Sequence, residues 1–190
     1  MKKIIITLLL IGLTSCDLLT TRNPEKPDTL ANNNIPATSP NILFSNLKSS
    51  LEEKVLDNYM ICFVDSSFSK KKFRLIPSSG STSQFPVLNN WSLESERQYF
   101  KNQKAISKEG KSISFNLSNQ FNTQFGDSAV YQFDYELTLQ TNDLTIGGAY
   151  KGTAQFKIAR DSRNQWVIFE INDFKKNDFQ SWSELKGRLY

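Results

Sequence analysis

The chain has 190 residues, with 23 basic and 19 acidic side chains, two cysteines and no histidine. That length suits one compact domain with a tail rather than two domains. Lys2 and Lys3 lie at the extreme N-terminus, and the remaining 21 basic residues nearly balance the 19 acidic ones, so no nucleic-acid partner is expected. Without histidine, the commonest general base and metal ligand is missing.

Lys2 and Lys3 precede a largely apolar run of ten residues, Ile4 to Leu13, which leads into Leu13-Thr14-Ser15-Cys16. A membrane-crossing helix needs about twenty apolar residues, so this run is too short to span. A basic start, a short apolar core and small residues before a cysteine resemble a bacterial lipoprotein signal peptide with its lipobox. The resemblance implies that residues 1–15 are a removed leader and that Cys16 is lipidated, carrying a thioether diacylglycerol and an N-acyl chain such as palmitate. Several chains together make a lasting anchor, at about 0.8 kcal/mol per buried CH₂. The expected location is therefore the bacterial cell envelope, held to a membrane through lipid. Asp17 resembles the inner-membrane retention signal of enteric lipoproteins, and the choice between inner and outer membrane stays open.

Residues 16–40 contain Pro24, Pro27, Pro36, Pro40 and the run Asn32-Asn33-Asn34, a composition that buries too little apolar surface to fold. As a flexible coil such a tether reaches roughly 25 to 30 Å. The folded domain is expected over 41–190.

Ser39 is suited to cap a helix and Pro40 to occupy its first position. Leu43, Leu47, Leu51 and Val55 recur four apart, with Phe44 and Tyr59 widening the stripe and Lys48, Glu52 and Glu53 opposite. A break near 53–57 predicts a second short helix through Phe63. Cys62 lies in the run Tyr59-Met60-Ile61-Cys62-Phe63-Val64 and reads as a small buried hydrophobe. Residues 73–77 read as a short strand and 78–83 as a Ser/Gly loop, and Ser92 caps a further short helix through Phe100.

The period then changes. Tyr131, Phe133, Tyr135, Leu137 and Leu139 alternate with Gln132, Asp134, Glu136 and Thr138, as in a half-buried antiparallel strand. Ile113, Phe115 and Leu117 alternate before it, and Tyr150, Ala154, Phe156 and Ile158 after it. Trp166 to Ile171 is apolar on both faces, which predicts a central or bulged strand. Ser181 to Gly187 reads as a capping turn or short helix, with Trp182 packing on the sheet.

Helices first, a lone short strand, a middle helix and then a meander of long strands define an α+β class. That order resembles the NTF2-like (cystatin-like) superfamily. The carrying residues are Leu51-Glu52-Glu53-Lys54-Val55-Leu56-Asp57-Asn58-Tyr59, Phe63-Val64-Asp65, Tyr150-x-Gly152-x-Ala154-x-Phe156 and Trp166-x-Ile168. The resemblance implies a curved sheet wrapped around the helices, leaving a conical pocket that is either filled by side chains or holds an apolar ligand. Tyr59, Tyr135, Trp166 and Glu170 are the first candidates to line it.

No Gly-rich phosphate loop or Gly-x-Ser-x-Gly elbow is present, and the acidic residues Asp161, Asp173 and Asp178 lack calcium-loop spacing, so no cofactor or metal is implied. Ketosteroid isomerases and scytalone dehydratases of this superfamily act through a base and Tyr donors in the cone. Asp65 matches the family's acidic position after the helix, but no tyrosine in the first helix stands at the matching spacing, and Asp65 reads more simply as a turn residue. Lys70-Lys71-Lys72 with Arg74 reads as a solvated charge run. The leading expectation is a non-catalytic, lipid-anchored envelope protein binding a small apolar ligand or a partner protein. The alternatives are an isomerase- or dehydratase-like enzyme using a carboxylate in the cone, and an assembly subunit, with a homodimer through the open sheet face.

Overall fold

The computed structural model describes residues 35–176 and 178–190. The leader, Cys16 and most of the proposed tether lie outside the described residues. No described helix is long and apolar enough to cross a membrane.

Helix α1, Pro40–Glu53, begins as expected: the Ser39 side chain accepts from the Ile42 amide at 3.4 Å and Pro40 stands in the first turn. Its stripe of Leu43, Phe44, Leu47 and Leu51 is buried. Lys54 stops the helix in the left-handed conformation, φ 58°, and its amide folds back onto the Leu51 carbonyl. Val55 therefore does not extend the stripe; it caps helix α2, Leu56–Ile61, which ends two residues before the expected Phe63.

Strand β1, Arg74–Ile76, follows, and the serine-rich segment behind it is not a plain loop: Ser81–Gln84 makes one turn of helix, α3, and Pro86–Asn90 a 3₁₀ turn. Helix α4, Leu93–Ile106, starts at a reciprocal capping box between Ser92 and Ser95 and runs six residues past the predicted Phe100 end. The extension is polar on its outer side, and Gln103 carries the buried face onward.

Four long strands complete the sheet: β2, Ser114–Phe125; β3, Ser128–Leu139; β4, Gly148–Arg160; and β5, Trp166–Lys175. The order is β1-β5-β4-β3-β2, with β1 parallel to β5 and every other pair antiparallel. β3 shows the alternation predicted for it, with every inward residue from Ala129 to Leu139 buried. β5 is bulged: Lys157 pairs with Glu170 but the next residue, Ile158, pairs with Ile168, leaving Phe169 extra. That slip explains why the segment is apolar on both faces. α1 lies on the concave face, where the Phe44 ring packs on Tyr131, Phe133 and Phe156 with centroids 5.1, 4.8 and 5.3 Å away. The architecture is α+β, helices on one face of a curved, mostly antiparallel sheet.

The last helix, α5, spans Trp182–Leu189. Ser181 and Glu184 form its capping box, and the Ser181 hydroxyl also lies 2.7 Å from that of Ser78, tying α5 to the segment behind β1. Trp182, Leu185 and Leu189 face the sheet and are buried.

Candidate functional site

The interior of the cone is occupied by the protein's own side chains. Trp182 of α5 packs against Phe115, Tyr135 and Phe156, with centroids 5.2, 5.9 and 6.4 Å away, so three strands share one indole. One turn further along α5, Lys186 projects inward and is 1 % exposed. Its ammonium stands over the rings of Tyr99 at 4.3 Å, Trp182 at 4.6 Å and Trp91 at 5.8 Å, and meets the carboxylate of Glu96 from α4.

Glu96 is fully buried, and each of its oxygens has a donor. Oε1 accepts from Lys186 and from the Tyr59 hydroxyl at 2.5 Å, and Oε2 accepts from the Trp91 indole at 2.6 Å. The Trp182 indole donates to the Tyr99 hydroxyl at 2.9 Å. Burial pulls the Lys186 ammonium below its ordinary range, opposed by the charge of Glu96. Burial, reinforced by Glu96, pushes both Tyr59 and Tyr99 well above the usual phenol range, so neither titrates near neutral pH. A buried charge pair of this kind holds its place because every polar atom has a partner.

A second buried network lies against the first turn of α5. Asp173 accepts from the Tyr135 hydroxyl at 2.8 Å, from the Ser183 amide at 2.8 Å and from the Ser183 hydroxyl at 2.5 Å, while the Trp182 amide donates to Tyr135 at 2.7 Å. Burial raises the Asp173 carboxyl above its usual range despite these donors. Gly152, opposite Tyr135 in β4, leaves room for that hydroxyl: a Cβ there would overlap it and the Phe174 carbonyl.

The four pocket candidates do not converge. Tyr59 joins the Glu96 network, Tyr135 the Asp173 network, and Trp166 is buried near the start of β5, its ring 5.3 Å from the Arg160 guanidinium. Glu170 points to the opposite face of the sheet, where it accepts from Arg74 at 2.8 Å and pairs with Lys157 at 2.8 Å. Asp65 is exposed and accepts from the Ser67 amide at 2.8 Å, a turn arrangement. Cys62 is buried with its thiol pushed up to about 12 by burial, which keeps it out of nucleophilic chemistry. Glu96 and Lys186 were missed as interior residues, although each shares helical spacing with large apolar or aromatic neighbours: Glu96 with Tyr99 and Phe100, and Lys186 with Trp182 and Leu189.

Grooves open to solvent lie around this filled interior. One of about 380 Å³ runs beside α2 over Met60, Ile61, Val64 and Leu93, with Arg97 and Arg163 on its wall. Another, of about 490 Å³, lies between α1 and β2 over Phe44, Leu117 and Phe133. A third, of about 300 Å³, crosses the sheet near Asp134, Lys151 and Lys176.

No family model matches the sequence, and no curated protein sequence matches it. Solved structures do match in shape. A candidate aromatic ring hydroxylase from Novosphingobium aromaticivorans aligns with a TM-score of 0.55 at 14 % identity, over 76 % of this chain and 91 % of its own. A candidate dehydratase of the NTF2-like family from Streptomyces avermitilis aligns with a TM-score of 0.55 at 8 % identity, covering 72 % and 92 %. An NTF2-like protein of unknown function from Pseudomonas putida aligns with a TM-score of 0.52 at 10 % identity, covering 73 % and 84 %. At these identities the likeness is one of fold: the domain has the NTF2-like cone, and activity does not transfer with it.

Proposed function

We propose that this chain is a lipid-anchored protein of the bacterial envelope whose NTF2-like domain is non-catalytic and works by holding a partner protein on its outer surface. The observation that carries the non-catalytic reading is the Lys186–Glu96 pair. A carboxylate that acts as a base in a cone needs room for substrate beside it and a free lone pair. Glu96 stands in a different setting: Lys186, Tyr59 and Trp91 already donate to its two oxygens, and the rings of Trp91, Tyr99 and Trp182 close around the ammonium.

The same filling argues against a small apolar ligand inside the cone and favours the surface as the working part. Support for anchoring comes from the sequence, where Lys2, Lys3, the short apolar run and Leu13-Thr14-Ser15-Cys16 stand in lipobox order. The enzyme reading is favoured by one observation, a buried carboxylate ringed by Tyr59, Tyr99 and Trp91. It requires α5 to leave the cone.

Metabolic labelling with radioactive palmitate tests the anchoring. The wild type is expected to take up label and Cys16→Ala to lose it; labelling of the mutant overturns the lipobox reading. Native mass spectrometry of the full chain tests the filled cone: a co-purified small molecule released by unfolding contradicts it.

A further inference from the structure

Among the described residues the five-stranded sheet has two free edges, and they are treated very differently. β1 is only three residues long, follows Lys70-Lys71-Lys72 and is followed by Pro77, the usual protection of an exposed edge. β2 is twelve residues long and carries no charged residue and no proline; indeed none occurs from Ser112 to Gly126. Every residue of β2 from Ser118 onward is exposed.

A bulge also reorients this edge. Ser118 pairs with Asp134 and Phe121 with Gln132, so one residue is extra, and Asn119 takes the left-handed conformation at φ 51°. Without the bulge, Phe121 would follow Phe115 and Leu117 onto the concave face. With it, Phe121 and Phe125 stand on the outer face, 68 % and 64 % exposed.

The segment Phe121-Asn122-Thr123-Gln124-Phe125 reads almost the same in both directions. Laid antiparallel against itself with a two-fold axis at Thr123, it sets Phe121 opposite Phe125 of a second copy, Asn122 opposite Gln124, and Thr123 opposite Thr123. Aromatic rings then pair on the outer face and amides on the inner one, and no like charges meet.

We propose that two copies of this chain associate edge to edge along β2, antiparallel about Thr123, to form one continuous sheet. The contact is isologous and closes at two, because β1 guards the far edge of each copy. The inference stands whether or not Cys16 is acylated.

Sedimentation of the full-length chain in density-matched detergent tests it, with circular dichroism as the check on folding. The wild type is expected to be a dimer. Thr123→Lys and Thr123→Glu each place like charges directly across the axis and are expected to be monomers, while an equal mixture of the two regains the dimer. A second arm does not depend on charge. Residues directly opposed across an antiparallel pair have Cα atoms about 4.5–5.5 Å apart, within disulfide reach. Under mild oxidation Thr123→Cys is therefore expected to cross-link to itself above the wild-type background, and Ser118→Cys is not. A monomeric wild type, a Thr123→Lys dimer, a mixture that stays monomeric or a Thr123→Cys chain that cross-links no better than Ser118→Cys overturns the proposal. Equal loss of association in the mixture points instead to a foreign strand on this edge.

Discussion

Lys186 enters the middle of the fold from α5 and donates to Glu96 of α4, ninety positions earlier in the chain, with the two side chains 1 % and 0 % exposed. Together with Trp182, which packs on Phe115, Tyr135 and Phe156, this contact sets α5 in the interior that such a fold can otherwise leave to a ligand. Tyr59 and Trp91 complete the carboxylate's shell, and three aromatic rings complete the ammonium's.

Lys186→Met leaves Glu96 buried without a counter-charge, and loss of one partner of such a pair costs about 3–5 kcal/mol. Glu96→Gln combined with Lys186→Met removes both charges, and Gln still accepts from one of the neighbouring donors. The double variant is therefore expected to recover at least half of the lost stability. Urea unfolding of the single and double variants measures the coupling; additive losses would show that the pair does not act as a unit.

Gly152→Ala tests the second network. The added methyl overlaps the Phe174 carbonyl and the Tyr135 hydroxyl, so the β5 backbone and the Tyr135 side chain must both shift. Moving that side chain separates Tyr135 from Asp173 and from the Trp182 amide at the start of α5. The expected loss is about 1–3 kcal/mol, typical of overpacking. Tyr135→Phe in the same background should partly relieve the clash, and chemical denaturation compares the variants.

Glu170 supplies a pH signature. Burial pushes its carboxyl up, but Lys157 and Arg74 outweigh that and hold it below its ordinary 4.5. A depressed carboxyl adds stability that is fully present above its unfolded value and is lost as pH falls through the folded one. Arg74 and Lys157 are both substantially exposed, so the contribution is about 1 kcal/mol. Glu170→Gln should be less stable than the wild type at pH 6, and the difference should shrink toward zero as pH falls below 4.5. Unfolding midpoints measured across that range check the sign.

Local chemistry made most of the framework legible. Ser39-Pro40 and the four-residue spacing from Leu43 to Leu51 place α1, and strict alternation places β3, because each signal is read within a few residues. The double-faced apolarity of Trp166 to Ile171 predicts a central or bulged strand, and β5 lies inside the sheet between β1 and β4 and carries a bulge at Phe169. What sequence reasoning missed depends on distant partners. α4 runs past the expected Phe100 end through the polar Lys101 to Lys104, and β2 runs past Leu117 through the mostly polar Ser118 to Gln124. Glu96 and Lys186 look like surface charges until the fold brings each to the other. The filling of the cone is a long-range event of that kind, and Glu170 follows it: its face is set by a bulge whose position no local pattern fixes.

Amide hydrogen exchange on α5 tests the central claim most directly, because a helix that fills the cone can open only when the core does. The account predicts that amides from Leu185 to Leu189 exchange as slowly as those at the centre of β4 and lose protection together with them under denaturant. Exchange of α5 many-fold faster than β4, with the sheet still protected, would show a plug that leaves on its own and would contradict the closed, non-catalytic reading.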